Sequence, residues 1–209
     1  MINLWSSKEP IIGKLHDAKE KTFTFKFQNE KDMSKRLDGQ PWHFDKFIWC
    51  FSKPNMEGKM TDVLLHLVPL WARVYDLPLR GRTNVENARR LGAQLGTFIS
   101  LDEAPHPEME RAIRLRIVHD VRKPLKSKVN IRLSSCKIEE FKVKYERLPT
   151  FCYGCGILGH GEKDCDEGPY EEGELRYDAS LRASPWKVLK TIVEMKGEKA
   201  KSLSAVFEA

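Results

Sequence analysis

Residues 152–165 read CYGCGILGHGEKDC, which sets three cysteines and a histidine within fourteen residues at the spacing Cys152-x2-Cys155-x4-His160-x4-Cys165. So short and glycine-rich a stretch cannot enclose an apolar core, and something other than burial must hold it. Three soft thiolates and one imidazole make the closed tetrahedral ligand set of a structural zinc site, with no position left for a substrate water. Gly154, Gly156, Gly159 and Gly161 are expected to relieve the backbone cost of wrapping the chain around an ion. A redox pair would need the first two cysteines only. The five cysteines are an odd number, and the start MINLWSSKEP lacks the marks of a secretory signal, so a disulfide framework accounts poorly for the cluster. Without a run of 18 apolar residues, the chain is expected to be soluble and intracellular, in nucleus or cytoplasm, with no membrane partner.

Charge is distributed unevenly. The chain holds 36 basic and 30 acidic residues, a formal +6 at pH 7. From Arg111 to Arg147 there are twelve bases against four acids, whereas residues 162–182 carry eight acids against three bases. Affinity for phosphate backbones comes from cations, so it is expected upstream of the cysteines and not around them.

In the basic segment, AIRLRIV, VNIRLSS and FKVKYERL alternate with the period of two that marks half-buried strands. Ile113, Leu115 and Ile117, then Val129, Ile131 and Leu133, then Phe141, Val143 and Tyr145 are expected to face a core. Arg114, Arg116, Arg132, Lys142 and Lys144 then face the other way, on a surface that is either solvated or phosphate-binding. Upstream, LWARVYDLP reads as a strand ending at Pro78. TNVENARRLGAQLG reads as a helix opened by a Thr83/Glu86 capping box and stopped by Gly96, and FISLDE as a short strand.

Residues 1–60 read as a separate module. KTFTFKF is a strand with Phe23, Phe25 and Phe27 on one face, NEKDMSKRLDG a helix ended by Gly39, and FIWCFSKP another strand. Cys50 and Cys136 are expected as buried or half-buried thiols. After the cysteine cluster, Trp186, Leu189, Ile192 and Val193 follow a Ser184-Pro185 start at helical spacing. The histidines are scattered and no nucleophile or phosphate-loop pattern occurs, so no catalytic residue is assigned and no enzyme is expected.

The cluster resembles a retroviral-type zinc knuckle in its aromatic after the first cysteine (Tyr153), its glycine after the second (Gly156) and its Gly159-His160 pair. That resemblance implies one structural Zn2+ and binding of single-stranded nucleic acid, RNA or DNA. Tyr153, Ile157 and Leu158 would then line a pocket for an unpaired base, with Lys163 as the basic residue inside the knuckle. Packing within the knuckle or against the preceding domain is the other role open to those three apolar side chains.

A wider resemblance covers roughly residues 11–165. FTFKFQNEKDMSKRLDGQPWHFDKF, LWARVYDLPLRGRTNVENARRLG, RIVHDVRKPLKSKV and KYERLPTFCYGCGILGH are similar to the plant family of uncharacterised domains that precede a zinc knuckle in LINE-type retrotransposon proteins and their host relatives. It implies a first module built as an RNA-recognition-like α/β sandwich closed by Trp42 in its core, here N-terminally truncated with an exposed sheet edge. The expected fold class is α+β: this small module over 1–60, a second α+β sheet module over 61–149, a CCHC zinc knuckle over 150–168, and an acidic linker with a helical tail over 169–209. The expected function is zinc-dependent nucleic-acid binding by a retrotransposon-derived protein. The alternative is a protein-interaction module with a purely structural zinc, meeting its partner through the acidic flank, the C-terminal helix or the exposed sheet edge.

Overall fold

The computed structural model describes residue 5 and residues 10–55, 57–59, 62–78, 82, 84–103, 111–132, 137–171 and 173–184. The chain divides into two compact units, Met1–Leu65 and His66–Ala209. The architecture is α+β and strand-dominated, with two α-helices among the described residues.

In the first unit, β1 (Ile12–Asp17) pairs antiparallel with β2 (Thr22–Lys26). Helix α1 (Glu30–Asp38) begins where Asn29 accepts from the Asp32 amide at 2.8 Å. Its first turn carries Glu30 and Asp32 and its last Lys35 and Arg36, as the helix dipole favours. β3 (Trp42–Phe44) and β4 (Phe47–Trp49) are joined by Asp45 and Lys46, both at positive φ, the signature of a two-residue type I′ hairpin. These are two separate two-stranded sheets.

The aromatic side chains of this unit converge on Trp5. Phe25 and Phe27 lie 5.2 and 6.1 Å from it between ring centroids, and Trp42 and Phe51 complete the cluster. Trp42 takes the core role expected of it, its indole N–H donating to the Arg36 carbonyl at 2.7 Å. Phe23 departs from its strand-mates. It pairs with Leu15 near the β1–β2 turn, is largely exposed, and meets Trp49 instead. Cys50 is half-buried, as expected, and burial pushes its thiol up to about 11. β1 has no counterpart among the strands expected from the sequence. All six of its residues are exposed, so it carries no apolar alternation and exists through main-chain pairing with β2.

The second unit is built on β5 (Leu67–Tyr75), α2 (Val85–Leu95), β6 (Thr97–Leu101), β7 (Ala112–Asp120), β8 (Lys128–Arg132) and β9 (Ile138–Tyr145). The strands form one sheet in the order β6-β7-β5-β9-β8. Both β5 and β6 run antiparallel to β7, which lies between them, so β5-α2-β6 is a split β-α-β unit. The alternation read from the sequence holds except at Ile131 of the edge strand β8, which is only half-buried. Ile113, Leu115, Ile117, Val129, Phe141, Val143 and Tyr145 are buried, with Val68, Leu70, Ala72 and Val74 of β5 and Ala88, Leu91 and Leu95 of α2. Tyr145 satisfies its buried hydroxyl by donating to the Lys126 carbonyl at 3.0 Å.

Helix α2 is capped by Asn84, whose Oδ1 accepts from the amides of Glu86 and Asn87 at 2.8 and 3.4 Å. The side chain expected in that role, Thr83, lies outside the described residues. So do Leu133, Cys136 and the tail with Trp186, Leu189, Ile192 and Val193. Among the described residues, no helix is long and apolar enough to cross a membrane.

Candidate metal centre and basic sheet face

The knuckle begins as a tight turn at the end of the sheet module. Phe151 and Leu158 form an antiparallel bridge, inside which the Cys152 amide donates to the Ile157 carbonyl at 3.0 Å and the Gly156 amide to the Cys152 carbonyl at 2.9 Å. Gly156 and Gly159 adopt φ of +78° and +98°, where a side chain is strained. Gly161 differs from expectation, with a φ of −101° that any residue adopts. Gly154 serves close approach, because the ring of Tyr170 lies where a Cβ would stand. A short 3-10 turn, Glu162–Asp164, then carries the chain to Cys165.

This path brings the ligand atoms of Cys152, Cys155, His160 and Cys165 within 4.8 Å of one another. The Cys155 Sγ lies 3.4 Å from the His160 Nε2. A tetrahedron with zinc–sulfur arms of about 2.3 Å has edges of roughly 3.8 Å, so the donors fit one ion after a small contraction. Cys152 and Cys155 are buried and the other two half-buried. Burial pushes the Cys155 thiol up to about 12, while the Tyr170 hydroxyl holds the Cys165 thiol down at about 6. Donor set, spacing and closeness are together those of a site for one structural zinc ion.

The knuckle is bonded to its surroundings on two sides. From the β7–β8 loop, the Leu125 amide donates to the Gly156 carbonyl at 2.9 Å. From within, the Tyr153 amide donates to Glu162 Oε1 at 2.8 Å. The chain beyond Cys165 then returns across it. The Tyr177 amide donates to the Tyr153 carbonyl at 2.9 Å, and Arg182 donates from Nη1 to the Tyr153 hydroxyl at 3.1 Å and from Nη2 to the Pro149 carbonyl at 2.9 Å. The Arg182 guanidinium sits 4.7 Å from the Phe151 ring, and the Ala183 amide donates to the Tyr145 carbonyl of β9 at 2.8 Å.

The four side chains expected to meet nucleic acid at the knuckle are differently placed. Tyr153 is half-buried with its ring 5.0 Å from Phe151, and Ile157 is half-exposed. Leu158 is 6% exposed, and Lys163 is exposed.

On the sheet, the register sets Trp71 opposite Arg116, and Arg73 between Arg114 and Lys144. Arg114 is committed within the protein. Its Nε and Nη2 donate to the two Glu146 carboxylate oxygens at 2.8 Å each, its Nη1 to Asp102 at 2.7 Å, and its guanidinium stacks 3.7 Å from the Trp71 ring centroid. Glu146 also accepts from the Nε of Arg73, a side chain only 2% exposed, at 2.6 Å. Burial by itself would raise the Glu146 carboxyl, but the bonds from Arg114 and Arg73 outweigh it and hold it below the ordinary glutamate value. Arg116 lies 5.3 Å from the Trp71 ring and Lys144 5.5 Å from the Tyr75 ring, while Arg132 and Lys142 are exposed.

Residues 119–167 match the zinc knuckle family model. The matched span runs from His119 near the end of β7, through the β8–β9 hairpin, to Glu167, so sheet edge and metal ligands fall in one segment. No curated protein and no solved structure matches the chain.

Sequence reasoning missed Trp71, Tyr75 and Glu146 on the sheet and Tyr170, Tyr177 and Arg182 around the knuckle. Trp71 and Tyr75 carried a signal, since with Arg73 they alternate with the apolar positions of β5, whereas Glu146 carried none. For Tyr170 and Tyr177 the one sequence cue is Gly154 and Gly156, which leave room for the two rings, and Arg182 has none.

Proposed function

We propose that this chain is a zinc-dependent binder of single-stranded RNA or DNA, derived from a retrotransposon protein of the LINE type. The reading rests chiefly on one observation: the Cys3His cluster is gathered on a knuckle hydrogen-bonded to the β7–β8 loop of a cation-bearing sheet. Zinc knuckles recognise unpaired bases, and a sheet face with aromatic rings beside cations suits the same ligand. Exposed Arg132, Lys142 and Lys163 take phosphates, as do Arg116 and Lys144 beside Trp71 and Tyr75. Tyr153 and Ile157 offer the knuckle's base contacts, while Leu158 is buried. Arg114 holds Trp71 in place through Glu146 and Asp102. The role is binding and not catalysis, because four protein ligands fill the coordination sphere of the metal.

A second reading, a protein-interaction module with a purely structural zinc, is favoured by the acidic segment after Cys165. That segment folds back on the knuckle and engages Tyr153 through Arg182. Fluorescence anisotropy with labelled single-stranded RNA and DNA separates the two, comparing the zinc-loaded protein with Cys155→Ser and with a Lys142→Ala/Lys144→Ala double variant. The nucleic-acid reading expects binding that weakens in the lysine variant and loses base preference in the cysteine variant. No binding at low salt by folded, zinc-loaded protein supports the interaction module.

A further inference from the structure

We propose that Tyr170 is an outer-shell positioning residue of the zinc site, its hydroxyl donating to the Cys165 sulfur, and that the segment carrying Tyr170, Tyr177 and Arg182 belongs to the metal module. This goes past residue 167, where the family match ends, and holds whatever ligand the chain binds.

The Tyr170 hydroxyl lies 3.3 Å from the Cys165 Sγ. A metal-bound cysteine is a thiolate and has no proton to give, so in the loaded site the phenol is the donor. Three thiolates and a neutral imidazole leave residual negative charge around a divalent ion, and a donated hydrogen bond stabilises it. The ring of the same tyrosine covers Gly154, between the first two cysteine ligands. Tyr170 therefore touches both ends of the ligand set, the Cys152–Cys155 turn through its ring and Cys165 through its hydroxyl.

The rest of the segment fixes Tyr170 in that place. Tyr177 lays its ring on Gly156 and bonds the Tyr153 carbonyl through its own amide. Arg182 ties the Tyr153 hydroxyl and the Pro149 carbonyl together, and the next residue joins the β9 end at Tyr145. A flexible acidic linker would need none of these contacts.

The test is zinc affinity of the full chain by competition with a chromophoric chelator, together with the absorption spectrum of the cobalt-loaded protein. Tyr170→Phe keeps the ring on Gly154 and removes only the hydroxyl. It is expected to weaken zinc binding about 10-fold or more and to shift the sulfur-to-cobalt charge-transfer band, with far-UV circular dichroism unchanged. Tyr177→Phe, whose ring packs on Gly156, is the matched control and should leave the band in place. A fluorinated tyrosine at position 170, a stronger donor of nearly the same shape, should move the band the opposite way, which keeps the question open to test if the Phe variant folds poorly. Wild-type affinity and an unmoved band in both position-170 variants would overturn the proposal.

Discussion

Arg182 reaches across the knuckle to Tyr153, its Nη1 donating to the phenol oxygen at 3.1 Å while its Nη2 holds the Pro149 carbonyl at 2.9 Å. One side chain thus connects the turn that bears the first two zinc ligands to the linker that leaves the sheet. A hydrogen bond to a charged group contributes about 1.5–3 kcal/mol. Arg182→Ala is expected to lower the urea unfolding free energy by an amount of that order, and Arg182→Lys, which cannot span both acceptors, to recover only part of it. Equal stability of all three proteins would show that the contact does not form in solution.

Metal removal should unfold the knuckle selectively. Apparent zinc binding to knuckle-sized sites supplies roughly 10 to 16 kcal/mol of folding free energy, whereas the sheet core rests on buried apolar side chains. Chelation is expected to abolish amide protection over residues 150–168 in hydrogen exchange while β5 and β7 stay protected. Cys155→Ser should reproduce that pattern without chelator.

Leu158 and Ile157 are neighbours with different surroundings, one buried and one half-exposed. Leu158→Ala is expected to cost about 2–5 kcal/mol of stability through lost contact and cavity formation. Ile157→Ala should cost much less, and any loss of nucleic-acid affinity it causes belongs to the bound state. Thermal unfolding of the two variants, followed by anisotropy, separates these effects.

Glu146 gives the second unit an acid-sensitive joint. Its carboxyl lies below the ordinary glutamate value in the folded protein, because Arg114 and Arg73 together outweigh burial. Such a group contributes stability that is complete above the unfolded value, about 4.3, and is lost as pH falls through the lower folded value. The stability difference between wild type and Glu146→Gln should therefore be constant from about pH 5 to 7 and shrink below about pH 4. A difference that does not change with pH would argue against the ion network.

The two features most legible from sequence were those with a short period. The alternation in AIRLRIV and FKVKYERL put the right residues in the core because cross-strand burial selects one face at a time. The ligand spacing identified the metal residues because four soft donors on so tight a turn suit a tetrahedral ion and little else. Long-range partners were not legible. Glu146 counted as one of four acids in a basic stretch, yet it binds Arg73 from 73 positions away and takes Arg114 out of the expected basic face. The same holds for Tyr170 and Arg182, which read as parts of an acidic flank until the chain folds back. β1 was illegible for a different reason, since main-chain pairing without a buried face leaves no pattern in side chains.

The most direct measurement is the salt dependence of binding to a labelled single-stranded oligonucleotide, with the zinc-loaded and zinc-stripped protein side by side. Zinc-dependent binding by the knuckle and its sheet predicts that log K falls linearly with log salt, with a slope of about −0.7 for each phosphate neutralised, and that stripping the zinc weakens binding and abolishes base preference. Binding that is independent of both salt and zinc, or no binding at low salt by folded, zinc-loaded protein, would contradict it.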